Sequence, residues 1–175
     1  MKRQNSAVIS NQLNLSHQEL TAVPNSVNSE ERSKKEFLDL SHNDFTSLES
    51  LHGFTILRSL VLDCNQIKSH FVCQKIPTLR YLSLNRNNIT NLPVFVSNCL
   101  KWFPGVTWLS LMNNEAAPSF LNGGSVKAHE DYRSFVIYKM PLLRTLDDKR
   151  INEAEKNWAE ERYKKFRKTK RLSEI

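Results

Sequence analysis

Between Leu79 and Ile89 the chain reads LRYLSLNRNNI, with leucines at Leu79, Leu82 and Leu84, then Asn87 and Ile89. The same spacing recurs at Leu57, Leu60, Leu62, Asn65 and Ile67. It recurs again, less its first position, at Leu38, Leu40, Asn43 and Phe45. The first leucines of the L-x-L pairs are Leu13, Leu38, Leu60, Leu82 and Leu109, separated by 25, 22, 22 and 27 residues. This period constrains the fold more than any other feature. A single short strand cannot bury its own leucines, and only stacking on neighbours gives a continuous core. The predicted fold class is α/β: a solenoid with a short curved parallel sheet on its concave face and 3₁₀ or helical returns on its convex face.

Asn43, Asn65, Asn87 and Asn114 each follow five residues after the first leucine. An amide side chain carries donor and acceptor, so it can satisfy backbone groups left unpaired where the chain leaves the strand. Four at one register predict a ladder inside the turns. The first unit has Gln18 at this place and reads as the N-terminal edge. Residues 25–35 are polar and lengthen the return to the next strand. Leu48, Leu51, Phe54 and Leu57 keep a three-residue period, which predicts a 3₁₀-like return. Leu92 to Phe103 predicts a short helix, stopped by Pro104-Gly105. Asn122-Gly123-Gly124 marks a surface loop. Beyond it Tyr132, Phe135, Val136 and Met140 keep a helical period that ends at Pro141, and Leu143 and Leu146 resume the strand spacing.

Tyr132, Arg133, Val136, Ile137, Met140, Pro141, Leu143, Leu146 and Asp147 match the C-terminal cap of one leucine-rich-repeat branch, the intracellular type with periods near 22. Repeats and cap resemble that family over residues 10–150. Within it, LSLMNNEAAP, the long loop after it and the cap are most similar to the melanocyte differentiation-associated group, and the spliceosomal A-prime group is also similar. The chain divides into a polar segment at 1–9, the repeat domain at 10–150 with its cap at about 129–150, and a charged helix at 151–175.

No apolar run approaches the ~20 residues that span a bilayer, and MKRQNSAVISNQ lacks the apolar stretch of a signal peptide. Cys64, Cys73 and Cys99 lie within the repeats without metal-ligand spacing, which points to reduced thiols in the cytosol or nucleus and to no cofactor or metal. No G-x-S-x-G, glycine-rich phosphate loop or H-E-x-x-H is present, so the reading is not an enzyme.

Residues between the strand leucines line the concave face. Phe37, Tyr81 and Trp108 share one row, with Asp39, Val61, Asp63, Asn85, Arg86 and Met112 in the rows beside it. Aromatic residues and arginine on a rigid scaffold are the types that carry interface hot spots, so these nine are the candidate partner-binding residues. His17 and His42 share a register, as two solvated histidines or a metal pair lacking a third ligand. The net charge is +7, and Lys164, Lys165, Arg167, Lys168, Lys170 and Arg171 form a basic run near the end. That run is either a solvated helix end, a site for nucleic acid, an anionic membrane or an acidic protein, or a nuclear signal. Ile151, Ala154, Trp158 and Phe166 give this helix an apolar stripe expected to rest on the cap.

The expected function is a monomeric, non-catalytic adaptor with a protein partner on its concave face, in the cytoplasm or nucleus. The melanocyte-type resemblance implies membrane traffic with a Rab-family small GTPase. The A-prime resemblance implies a ribonucleoprotein component that clamps an RNA-binding protein. An axonemal or cytoskeletal adaptor is the third alternative.

Overall fold

The computed structural model describes residues 11–119 and 123–172, with side chains as far as Lys164 at the C-terminal end. The expected polar segment at 1–9 lies outside the described residues. Five three-residue strands stack in chain order: β1 (Gln12–Asn14), β2 (Phe37–Asp39), β3 (Ser59–Val61), β4 (Tyr81–Ser83) and β5 (Trp108–Ser110). All pair in parallel, with Leu13, Leu38, Leu60, Leu82 and Leu109 on one rung. β6 (Thr145–Leu146) continues the parallel order, and β7 (Lys149–Arg150) turns back antiparallel against it. The solenoid read from the 22-residue period is the fold found. The antiparallel strand β7 carries no periodic apolar signal and was not expected.

The asparagine ladder explains why each strand ends where it does. Asn87 Nδ2 donates to Leu62 O at 2.9 Å and Leu84 O at 3.1 Å, and its Oδ1 accepts from Ile67 N at 2.9 Å. Asn43, Asn65 and Asn114 repeat the arrangement, each bonding its own turn and the preceding repeat. The residue before each asparagine is left-handed without being glycine: His42 (φ 54°), Cys64 (56°), Arg86 (53°) and Asn113 (60°). Such backbone costs about 1–3 kcal/mol per residue, and the bonds made by the adjacent amide hold it in place.

Leu38, Leu60, Leu82 and Leu109 are buried, as are Phe45, Phe54, Phe95 and Phe103, and Phe71 packs between Phe95 and Phe103 with ring centroids 6.0 and 5.9 Å away. On the convex side the second repeat returns through a 3₁₀ turn (Glu49–Leu51), as its spacing predicts. The long polar return before β2 instead contains α1 (Ser29–Arg32) and two buried cations, Arg32 and Lys35. Arg32 donates to Val27 O and Ser50 O at 2.7 Å and also reaches His52 O, Val23 O and Pro24 O, with its guanidinium 5.6 Å from the Phe54 ring centre. It ties carbonyls of two returns that have no strand partner.

α2 (Leu92–Trp102) is capped by the Asn91 side chain and ends before Pro104. α3 (Val126–Lys139) is capped by Ser125 and covers the end of the sheet. Tyr132 OH donates to Asp147 Oδ2 at 2.9 Å, and Leu111 N donates to Asp147 Oδ1 at 2.8 Å, so the cap helix grips the last long strand. Burial pushes the Tyr132 phenol well above its usual range, with the Asp147 charge adding to it, and burial also raises the Asp147 carboxyl.

α4 (Glu153–Leu172) begins with a reciprocal cap: Glu155 N donates to Asn152 Oδ1 at 2.9 Å and Asn152 N to Glu155 Oε2 at 3.0 Å. Buried Arg133 meets Glu155 at 2.6 Å and donates to Leu146 O at 3.0 Å. This contact sets the rotation of α4. Ala159 becomes fully buried and Tyr163 stacks on Tyr138 with centroids 4.8 Å apart. The expected stripe is therefore corrected in part: Ile151 packs on the core, Ala154 and Trp158 are exposed, Trp158 by 45%, and Ala159 with Tyr163 does the packing on α4. The side chain of Phe166 lies outside the described residues.

Candidate functional site

Strand pairing alone brings the predicted face residues together. One rung runs Gln12, Phe37, Ser59, Tyr81, Trp108, Thr145. Tyr81 and Trp108 stack nearly parallel, centroids 3.9 Å apart and planes 12° from one another. Both are half-buried, whereas Phe37 and Met112 stay 40% and 41% exposed and Val61 is half-buried. Large apolar groups left open on one sheet face are features of a binding surface. Burial, and after it the charge of Asp63, raises the Tyr81 phenol, which keeps it neutral.

The polar members of the predicted set divide. Arg86 is exposed. Asp63 and Asn85 are engaged with their own chain: Asp63 Oδ1 accepts from Ser83 Oγ at 2.6 Å and Asn85 N at 2.9 Å, and Asp63 Oδ2 accepts from Asn85 Nδ2 at 3.1 Å. Asn85 Oδ1 in turn accepts from Ser110 Oγ at 2.6 Å. Asp39 Oδ1 accepts from Ser41 N at 2.8 Å. Asp63 and Asn85 brace the floor beside the aromatic pair, and Asp39 closes its own turn two strands away. Ser83 and Ser110, read from sequence as face residues, are buried beneath it.

A further column escaped the sequence reading. The backbone N–H groups of Arg58, Arg80, Thr107 and Arg144 donate in succession to Glu36 O (2.8 Å), Arg58 O (2.9 Å), Arg80 O (2.9 Å) and Thr107 O (2.8 Å). It lies one residue upstream of the aromatic rung. The signal was present as arginine before the first face position of three repeats.

His17 and His42 stack with centroids 4.1 Å apart. Among the described residues no group of three or more His, Cys, Asp or Glu could hold a metal ion. Burial pushes the Cys73 and Cys99 thiols up to about 12, so both are protonated near neutral pH and poor nucleophiles. Of the predicted basic run, Lys164 is exposed and pairs with Glu160 at 2.7 Å. Lys165, Arg167, Lys168, Lys170 and Arg171 belong to α4, and their side chains lie outside the described residues. No helix among the described residues is long and apolar enough to cross a membrane.

The family model described as leucine-rich repeat matches residues 5–175. The chain belongs to the leucine-rich-repeat family. Among leucine-rich-repeat relatives, it is 37% identical over 131 residues to the leucine-rich melanocyte differentiation-associated protein of Homo sapiens, covering 71% of this chain and 66% of that one. It is 28% identical over 137 residues to the probable U2 small nuclear ribonucleoprotein A' of Caenorhabditis elegans, covering 76% and 49%. The chain thus spans about half to two thirds of the length of these relatives. A chain in the crystal structure of the Drosophila melanogaster SNF/U2A' complex superposes with a TM-score of 0.69 at 24% identity, over 94% of this chain and 87% of that one, which is a likeness of fold. A leucine-rich-repeat scaffold of this kind is a protein-interaction domain.

Proposed function

We propose that the protein is a non-catalytic adaptor that holds a protein partner in its concave face. The observation that carries this is the Tyr81–Trp108 stack, half-buried on a rigid parallel sheet with exposed Phe37 and Met112 nearby in the rungs. Aromatic side chains bind at low entropic cost when neighbours already fix them. Arg86 supplies an exposed charge at the groove edge, while Asp39, Asp63, Asn85 and Val61 shape the surface. The test is partner capture from native cells by wild type and by the Tyr81→Ala/Trp108→Ala variant. Capture should be lost while the circular dichroism spectrum stays unchanged. Unaltered capture by the folded double variant would sink the proposal.

A second reading, a ribonucleoprotein component, is favoured by the relatives named U2 small nuclear ribonucleoprotein A'. It places the protein in the nucleus, with the run from Lys164 to Arg171 approaching RNA. RNA affinity should then fall steeply with salt, and deletion of that run should flatten the slope. RNA binding that ignores the deletion would refute it. The small-GTPase partner and the axonemal role draw no support from the geometry or from the relatives' names.

A further inference from the structure

The column Glu36, Arg58, Arg80, Thr107, Arg144 flanks the aromatic rung across the sheet. Glu36 neutralises Arg58 at 3.0 Å. Arg80 is exposed and donates to Pro77 O at 2.7 Å and Leu79 O at 2.9 Å, uncharged acceptors that fix the guanidinium without cancelling its charge. Arg144 is exposed and forms no ion pair among the described residues. On the groove floor the Asp39 and Asp63 carboxylates accept bonds from uncharged donors of their own chain and keep their charge, so the acids lie on the floor and the arginines along the edge. The flank beside Tyr81 and Trp108 thus carries two arginines, Arg80 held in place by carbonyls and Arg144 exposed, neither with an ion pair among the described residues.

We propose that the partner held on the concave face presents an acidic edge, with carboxylates facing Arg80 and Arg144. This rests on the concave-face reading above. Two strand spacings of about 4.8 Å put the arginines' backbones about 10 Å apart, which sets the spacing the acids must match. A protein fits better than RNA. The two rings already stack on one another, and the surface beside them, Val61 and the Met112 thioether, suits aliphatic side chains rather than bases. Opposed charge along one edge also fixes the direction in which a partner lies and speeds its encounter.

The probes are a fluorescent leucine–glutamate peptide, its leucine–glutamine isostere and an oligouridine, titrated into the full chain by anisotropy at low salt. The glutamate peptide should bind at least about tenfold more tightly than the isostere, as close charge pairs can supply. Arg144→Glu should abolish that preference and Thr107→Arg, which fills the empty rung, should raise it. Trp108→Ala should weaken both peptides. Equal affinity for the two peptides, a preference that survives Arg144→Glu, oligouridine binding instead of either peptide, or no peptide binding would overturn the acidic edge. If both peptides bind equally and both are lost in Trp108→Ala, the acidic edge fails and the concave-face reading stands. If Trp108→Ala leaves peptide binding intact, the concave-face reading is the one that fails.

Discussion

Asp63 accepts two hydrogen bonds from Asn85, one from its backbone N–H at 2.9 Å and one from its side-chain amide at 3.1 Å. Two residues that face the groove thus hold each other across adjacent repeats. Asp63→Ala would strip acceptors from Asn85 and from Ser83 Oγ. The expected cost is about 2 kcal/mol, since each half-buried donor left unmade costs about 1–3 kcal/mol. Urea denaturation measures it, as a shift in midpoint without a change in slope. Partner affinity should fall less than in Trp108→Ala, because Asp63 shapes the surface from below.

The ladder predicts a larger effect one rung inward. Asn87→Ala removes four bonds from a buried amide and orphans Ile67 N. We expect a loss of about 3 kcal/mol. Asn88→Ala, at the exposed neighbouring position, should stay within about 0.5 kcal/mol. Equal costs for the two would contradict the ladder.

Arg32 gives a test that separates shape from charge. Arg32→Lys keeps the cation but replaces a fork reaching five carbonyls by a single ammonium. Both Arg32→Lys and Arg32→Met should destabilise by about 2–4 kcal/mol. Full stability in the lysine variant would show that charge alone suffices.

Where the chain repeats, the sequence was sufficient. Leu60 and Leu82 share one environment, so their common spacing reports a common burial, and Asn65 and Asn87 report a common turn. Phe37, Tyr81 and Trp108 could be placed on one rung by counting alone. What counting could not supply was the pairing of unlike residues. Arg32 looks like part of a solvated return until the carbonyls around it are seen. Trp158 looks more buriable than Ala159, yet the Arg133–Glu155 contact turns the helix so that alanine faces the cap. Asp63 and Asn85 look free until Ser83 and Ser110 are found beneath them. Arg32 and the Arg133–Glu155 contact join positions that no period relates, and Asp63 and Asn85, one period apart, are joined because their residue types differ.

The Arg133–Glu155 contact also sets a pH response. Burial alone would raise the Glu155 carboxyl, but the Arg133 hydrogen bond, the Asn152 N–H and the charges of Arg133 and Lys149 outweigh it and hold it below 4.5. A lowered folded-state value means stability present above the usual glutamate range and lost as pH falls through the folded value. Glu155→Gln should therefore be less stable than wild type at pH 6, and the gap should narrow as pH falls below the usual glutamate range and through the folded Glu155 value. Asp147, raised by burial, shifts the opposite way and is common to both proteins, so the difference between their stability curves isolates Glu155. A gap that does not narrow on acidification would contradict the assignment.

Arg133 touches the carbonyls of Leu146, Lys149 and Arg150 and the carboxylate of Glu155, so the cap closes only once all of these are present. On the ribosome they arrive after the strands they cover. At about 5–20 residues per second, the interval between Leu109 and Glu155 lasts about 2 to 9 seconds. Through that interval the far edge of β5 is an unpaired strand beside an uncovered core, open to chaperones and to other nascent chains. The newborn protein is thus most vulnerable just before the helix that protects it is made.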